Sequence, residues 1–284
     1  MINILLSGNI KVFDGALTEL ISITKKTKEA VTCFIMTMDL MRVRDDFKSI
    51  TDEQIDFLNV VVQKYNKENK VIKLDVTSIY EKEFGYGKNE NAYCTPYTLL
   101  RLFADMIPQI PDKILYLDID MMIAGDIAEL YNINIDDYEY AAVKEKYGHY
   151  FIRYDYINAG MLLLNIKKIK ETGLLEKARN KIKTKKYLFA DQDAIFWSTK
   201  KKKILPKKYN NQRTFNDKNT LVCHFCKRLI FLPYPKITNY KQWNIEEIHK
   251  YYKCHAFDDD LKDYIKEKEN YEKRKKTNTN ILHS

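Results

Sequence analysis

The stretch that decides the fold is Lys113-Ile114-Leu115-Tyr116-Leu117-Asp118-Ile119-Asp120. Ile114, Leu115, Leu117 and Ile119 suit a buried strand, and the run ends abruptly in two carboxylates. Successive side chains of a strand point to opposite faces, so Asp118 and Asp120 are expected to point the same way. In open α/β sheets, ligand sites lie just beyond the carboxyl ends of the strands. Two carboxylates side by side there repel each other unless a cation neutralises them. Hard oxygen donors of this kind suit Mg²⁺ or Mn²⁺, with substrate phosphates completing the shell. The plainer alternative is a pair of strand-end aspartates capping a turn.

Outward from this run, residues 2–7 read as a strand ending in the turn residues Gly8-Asn9. Over residues 15–26, Ala16, Leu17, Leu20, Ile21 and Ile23 recur at helical spacing. Residues 31–38 and 71–76 read as further strands, separated by a helix that Thr51-x-x-Gln54 opens as a capping box. Residues 80–91 are polar and contain glycine, which predicts a loop. Thr95-Pro96 then starts a helix that bears Arg101 and stops before Pro108. Downstream, residues 140–143 read as a strand, and Asn158-Ala159-Gly160 precedes a fully apolar strand ending at Asn165. A basic helix is expected over 166–185, and Asp191-Gln192-Asp193 opens another over 194–197, where an acidic residue is ordinarily a cap. Residues 221–225 form a late strand ending near His224. Alternating strands and helices predict an α/β fold with a mostly parallel twisted sheet flanked by helices. The division expected is a catalytic domain over 1–243 and a small helical C-terminal extension over 244–284, loosely cored and frayed over 277–284.

With 284 residues and 45% hydrophobic content, the chain is long enough for one large α/β domain with a smaller appendage. The first seven residues are only a strand's length, with no basic segment ahead of them, and no later apolar run is long enough to span a bilayer. A cytoplasmic protein without a signal peptide is therefore expected. Five cysteines read as mostly buried thiols, although Cys223-x-x-Cys226 with Cys254-His255 leaves a structural zinc site open. Residues 165–208 carry fifteen Lys/Arg against four Asp/Glu, so the formal charge of +9 is concentrated there. Such a field attracts polyanions (nucleic acid, an anionic membrane face or phosphorylated substrates) unless it is simply a solvated helix face.

Five features in order resemble the family 8 glycosyltransferases, retaining enzymes that include bacterial lipopolysaccharide galactosyltransferases and glycogenin. They are the first strand with Gly8-Asn9, Tyr97-x-x-x-Arg101, Leu117-Asp118-Ile119-Asp120, Asn158-Ala159-Gly160 before an apolar strand, and Asp191-Gln192-Asp193. His224-Phe225 fits the family's late metal histidine, and the resemblance covers roughly residues 2–243. It implies a nucleotide-diphospho-sugar transferase fold of the GT-A type, Mn²⁺ (or Mg²⁺) as cofactor and a UDP-sugar as donor. Galactose or glucose would be moved to a cell-envelope glycan, a glycolipid or another acceptor.

By the same resemblance, Asp118, Asp120 and His224 hold the metal. The donor is met by Ser7, Gly8, Asn9, Arg101, Asp118, Ile119, Asp120, Asn158, Ala159, Gly160 and either Lys227 or Lys241, with Lys241 beside Trp243 preferred. Asp191 and Gln192 lie at the sugar's reactive face. Retention requires either a covalent intermediate or attack from the face the leaving group departs. Gln192 is a poor nucleophile, which favours same-face attack with Asp191 and Gln192 stabilising positive charge on the ring. Two departures stand out: Ile10 follows the first turn where many members carry an aspartate, and the family's histidine, glycine and Lys-Pro-Trp ending is not reproduced.

Two other classes are open to the same residues. A Mg²⁺-dependent phosphohydrolase also uses a strand-end Asp-x-Asp, but early in the chain and followed by Thr or Val rather than Met121-Met122. A nucleic-acid binder would explain the basic segment, yet no helix-turn-helix, zinc-finger or RNA-binding signature is present. Lys200 to Lys203, Lys207 and Lys208 also suggest weak, salt-sensitive contact with an anionic membrane face. So do Tyr264, Ile265 and Tyr271 among Lys262, Lys266, Lys268 and Arg274.

Overall fold

In the computed structural model, which describes all residues except 86, 88–94, 188, 216, 231–233, 235, 283 and 284 and leaves aside the side chains of 229, 230, 236 and 278–282, the elements follow in this order. They are β1 (Ile2–Ser7), α1 (Phe13–Thr24), β2 (Val31–Thr37), α2 (Asp52–Val62), β3 (Lys70–Asp75), α3 (Thr77–Phe84), a 3₁₀ helix (Pro96–Phe103) and β4 (Lys113–Leu117). Then come β5 (Met121–Ile123), α4 (Ala128–Tyr131), β6 (Tyr140–Lys144), α5 (Gly148–Phe151), β7 (Ile157–Asn165), α6 (Ile166–Thr172), α7 (Leu174–Thr184) and α8 (Ala190–Ser198). The chain closes with β8 (Lys202–Leu205), β9 (Val222–His224), β10 (Arg228–Ile230), β11 (Lys236–Thr238), α9 (Ile245–Tyr252) and α10 (Asp258–Leu282).

Seven strands form the central sheet in the order β3-β2-β1-β4-β7-β6-β8. All neighbours are parallel except at β7, which runs antiparallel to β4 and to β6. Strands buried on both faces read as continuous apolar runs. The alternation sends Ile4, Leu6, Leu115 and Leu117 into a core shared with α1, α2 and α10. Leu5, Ile114 and Tyr116 face the opposite core, built with the 3₁₀ helix, α7 and α8.

Several elements differ from what the sequence predicts. The loop expected over 80–91 begins inside α3: Tyr80 and Phe84, one turn apart, bury their rings against Phe103 and stabilise a helix there. The rest of that loop lies mostly outside the described residues; the fraying expected over 277–284 is not seen through Leu282, where α10 continues, and only 283 and 284 lie outside the described residues. The basic helix expected over 166–185 is two helices, divided where Gly173 takes a left-handed φ of 68°. Asp191-Gln192-Asp193 does not sit ahead of a helix but forms the buried first turn of α8.

The C-terminal segment is helical, but not loosely cored: Phe257, Leu261, Tyr264 and Tyr271 join the α1/α2 core. Tyr271 lies with its ring centroid 4.4 Å from Phe13 and 5.0 Å from Phe57. Tyr264 and Tyr271 therefore face inward rather than toward an interface. Among the described residues, Cys223, Cys226 and Cys254 join no metal-ligating group; burial pushes the Cys226 thiol up to about 12 and Cys254 up to about 11.

Candidate functional site

Strand β4 stops at Leu117, so Asp118 and Asp120 lie in the turn just beyond it. The ladder with β7 continues one step further, the Asp118 amide donating to the Gly160 carbonyl at 2.7 Å. That register sets Gly160 opposite Asp118. A Cβ on Gly160 would fall 2.5 Å from His224 Cε1 and 2.8 Å from Asp118 Oδ2, so only glycine leaves this space open. His224 arrives through a pairing the sequence did not reveal: β5 and β9 form a short antiparallel ladder with Met121 opposite His224. The Phe225 amide then donates to the Asp120 carbonyl at 2.8 Å.

The three side chains converge. One ligand atom each from Asp118, Asp120 and His224 lie within 4.8 Å of one another. His224 Nε2 is 3.0 Å from Asp120 Oδ1 and 3.8 Å from Asp118 Oδ2. The backbone fixes which nitrogen faces the carboxylates. The Gly160 amide donates to Asn158 Oδ1 at 3.0 Å, which obliges Asn210 to turn its Nδ2 toward that oxygen, at 2.8 Å. Asn210 Oδ1 is left 3.1 Å from His224 Nδ1, and an amide oxygen there accepts only from a protonated Nδ1. In the neutral ring the Nε2 lone pair then points at the two aspartates, the tautomer a metal ligand needs. The open space at Gly160, the two carboxylates and the oriented imidazole fit a divalent cation.

Burial pushes the Asp120 carboxyl up, but Lys241 and His224 outweigh it and hold the group well below the usual carboxylate range. Lys241 reaches Asp120 Oδ2 with its ammonium, so this is the lysine the structure brings to the site. Lys227 sits exposed after β9. Gln242 braces the turn by donating to the Ile119 carbonyl at 2.9 Å and to Thr18 Oγ1 at 3.1 Å. Beneath it, Glu19 of α1 is fully buried with neither carboxylate oxygen hydrogen-bonded; burial, reinforced by Asp120 and Asp118, pushes its carboxyl well up.

Arg101 is the hub of the opposite side. Its guanidinium meets Asp118 Oδ1 at 2.8 Å, Asp191 Oδ2 at 3.0 Å and the Ala159 carbonyl, and it stacks 4.1 Å over the Tyr116 ring. Tyr116 donates to Asp118 Oδ1 at 2.8 Å and joins Ser7 Oγ at 3.0 Å, which links the first strand to the Asp118/Asp120/His224 group. Asn9 instead accepts from the Lys11 amide at 3.0 Å and caps the short turn after Gly8. Burial raises the Asp191 carboxyl to about 6 against the pull of Arg101.

Gln192 is held on both ends. Its Oε1 accepts from the Ala159 amide at 3.0 Å, and its Nε2 donates to Tyr156 Oη at 3.1 Å. Tyr156 in turn donates to Asp193. Tyr116, Tyr156, Asn210 and Gln242 are the members of this network that sequence reasoning passed over. The tyrosines look like ordinary core residues, and the two amides lie outside any periodic pattern. A second group, His249, His255 and Asp258, also brings possible ligand atoms within 4.8 Å, but in the C-terminal segment and more exposed. Its histidines are hydrogen-bonded to Asp258 at 2.7 and 3.1 Å.

Comparison with known proteins places this architecture. A putative glycosyltransferase of Haemophilus influenzae is 27% identical over 210 residues, covering 62% of this chain and 63% of that protein. The glycosyltransferase GlyA of Streptococcus pneumoniae serotype 4 is 32% identical over 124 residues, covering 43% of this chain and 16% of its own. The chain thus spans less than two thirds of the length of these curated relatives. Among solved structures, the bifunctional glycosyltransferase WbbM superposes with a TM-score of 0.67 at 16% identity, over 92% of this chain and 49% of WbbM. The galactosyltransferase LgtC, solved with donor and acceptor sugar analogues, gives 0.63 at 14% identity over 94% and 95% of the two chains. These likenesses show the GT-A fold. Residues 3–247 match Glycosyl transferase family 8, and the chain belongs to that family.

Proposed function

We propose that the protein is a retaining hexosyltransferase that moves galactose or glucose from a UDP-sugar to a glycan or glycolipid acceptor, with Mn²⁺ or Mg²⁺ held by Asp118, Asp120 and His224. The observation that carries this is the convergence of those three side chains with the His224 tautomer preset through Asn210. A bound divalent cation supplies Lewis-acid neutralisation of the charge that grows on the departing diphosphate. Lys241, beside Asp120, adds a fixed cation to the same end. Family membership favours this reading over the phosphohydrolase and nucleic-acid-binding alternatives.

The residues of this chain do the rest. Arg101 contacts Asp118, Asp191 and the Ala159 carbonyl at once, an arrangement suited to fixing the floor of the donor site before substrate arrives. Gln192 spends its oxygen on the Ala159 amide and its nitrogen on Tyr156, an arrangement that suits a positioning dipole better than a nucleophile. In same-face attack the anomeric carbon–oxygen bond to UDP breaks as the acceptor oxygen bonds to that carbon, and the acceptor proton passes to the departing phosphate oxygen. Asp191, when ionised, stabilises the positive charge on the ring. Weak, salt-sensitive contact with an anionic membrane face remains part of this proposal; among the described residues no helix is long and apolar enough to cross a membrane.

The test is UDP release with Mn²⁺ from UDP-galactose and UDP-glucose, since slow donor hydrolysis needs no acceptor. Asp118→Ala and Asp120→Ala are expected to lose UDP·Mn²⁺ binding by calorimetry while circular dichroism stays native. Unchanged affinity in both variants would remove the metal assignment. Gln192→Ala is expected to lower kcat and kcat/KM together, the signature of an interaction made in the transition state.

A further inference from the structure

We infer that the cleft beside the donor site binds an acceptor bearing an anionic group, a phosphate or a carboxylate, and that this charge is a determinant of acceptor choice. The inference rests on the glycosyltransferase reading and adds the acceptor class to it. A cavity of about 300 Å³ lies between the end of β6, the turn at α5 and the segment after β8. Its lining includes Lys144, Lys146, Lys207 and Arg213 and no carboxylate.

These four cations differ from most others near the site. Lys208 is paired with Glu129, Lys202 with Asp155 and Lys241 with Asp120. Among the described residues, no ion pair joins any of the four to an acid. Arg213 Nη2 donates to the Lys146 carbonyl at 2.8 Å, and the Lys146 ammonium sits 4.6 Å from the Tyr147 ring centre. Of the acids close by, Asp155 is paired with Arg153 and Lys202, while Glu145 keeps its charge, turns one oxygen to the Tyr147 and Gly148 amides, and does not line the cavity. Four like charges around one concavity repel, and a bound anion relieves that cost.

The position points to the acceptor rather than the donor. The donor diphosphate is provided for by Asp118, Asp120, His224 and Lys241, none of which lines this cavity. Asn210 forms the shared wall: it lines the cavity and hydrogen-bonds to both His224 and Asn158. A sugar seated here lies next to the residues that hold the donor. Tyr150, 70% exposed at the rim, offers an apolar face that a sugar ring can cover.

The test titrates the full chain, with UDP and Mn²⁺ present, with a methyl hexoside, a hexose 6-phosphate and a hexuronate. At least one anionic sugar is expected to bind 10-fold or more tightly than the neutral one, with the gap shrinking as salt rises; whichever binds better identifies the anion. The Lys146→Glu/Arg213→Glu double variant is expected to lose this preference, whereas Lys170→Glu, at an exposed position of α6, keeps it. Equal binding of neutral and anionic sugars overturns the inference while UDP·Mn²⁺ binding, read in the same titration, leaves the donor assignment standing. Absence of UDP binding overturns both. Sedimentation with phosphatidylglycerol vesicles through Lys146 and Arg213, with neither soluble anion bound, also overturns it and turns the cleft into a membrane contact.

Discussion

At the scale of single residues, Asn210 decides how His224 is used. Its amide orientation is dictated from the backbone of β7 through Asn158, and it commits the imidazole Nδ1 as a donor. Asn210→Ala is expected to weaken Mn²⁺ affinity by about 10–100-fold, the usual loss for a partner that orients a ligating histidine, measured by calorimetry. Asp191 gives a pH signature. With its carboxyl raised to about 6, the group is protonated at lower pH and cannot stabilise positive charge. The acid limb of kcat/KM for the free enzyme is therefore expected near pH 6, and Asp191→Asn should abolish that limb and lower the plateau. Because its folded pKa is raised, its stability contribution is full below about pH 4 and lost as pH rises through 6. Denaturation of wild type against Asp191→Asn across that window reads the difference. Asp118 and Asp120 stood out in the sequence because carboxylates that end an apolar run are conspicuous, whereas Asp191 read as an ordinary helix cap and was singled out only by the family resemblance. Asn210 did not, because a polar residue in an irregular segment looks like any other loop amide.

At the scale of elements, long apolar strands and capped helices were legible, since burial on both faces and the Thr51/Gln54 capping box leave local marks. The pairing of β5 with β9 was not, because three-residue strands carry no period and their register is set by chain segments about a hundred residues apart. The break between α6 and α7 shows a related limit: the lysines continue across it, and only the glycine marks the turn. Gly173, with φ 68°, joins the two helices, and Gly173→Ala is expected to cost about 1 kcal/mol. A fall in Tm of about 2–4 °C would report it. A Tm unchanged or raised would mean that the junction relaxes into a continuous helix.

At the scale of the whole molecule, the C-terminal helix is part of the main core. Tyr271 fills the space between Phe13 of α1 and Phe57 of α2, and the buried Asp260 meets Lys26. Its heptad-like mixture of charges concealed this in the sequence, where the few aromatic residues are too sparse to form a stripe. Tyr271→Ala is expected to destabilise the chain by about 3 kcal/mol, as for other large-to-small aromatic changes in cores, seen as a lower denaturation midpoint. A near-neutral result would make residues 244–284 a detachable extension after all.

The reversed direction of β7 has a consequence for how this scaffold can be altered. Because β6 ends and β7 begins on the same side of the sheet, residues 145–156 form a hairpin connection at the mouth of the site, while Lys113 and Asn165 close the far side. The strands on either flank keep their register through backbone ladders that do not involve this connection. Residues 146–154 can therefore be exchanged as a cassette, a library of grafted loops explored on a floor that keeps Asp155 on Lys202 and Tyr156 on Gln192.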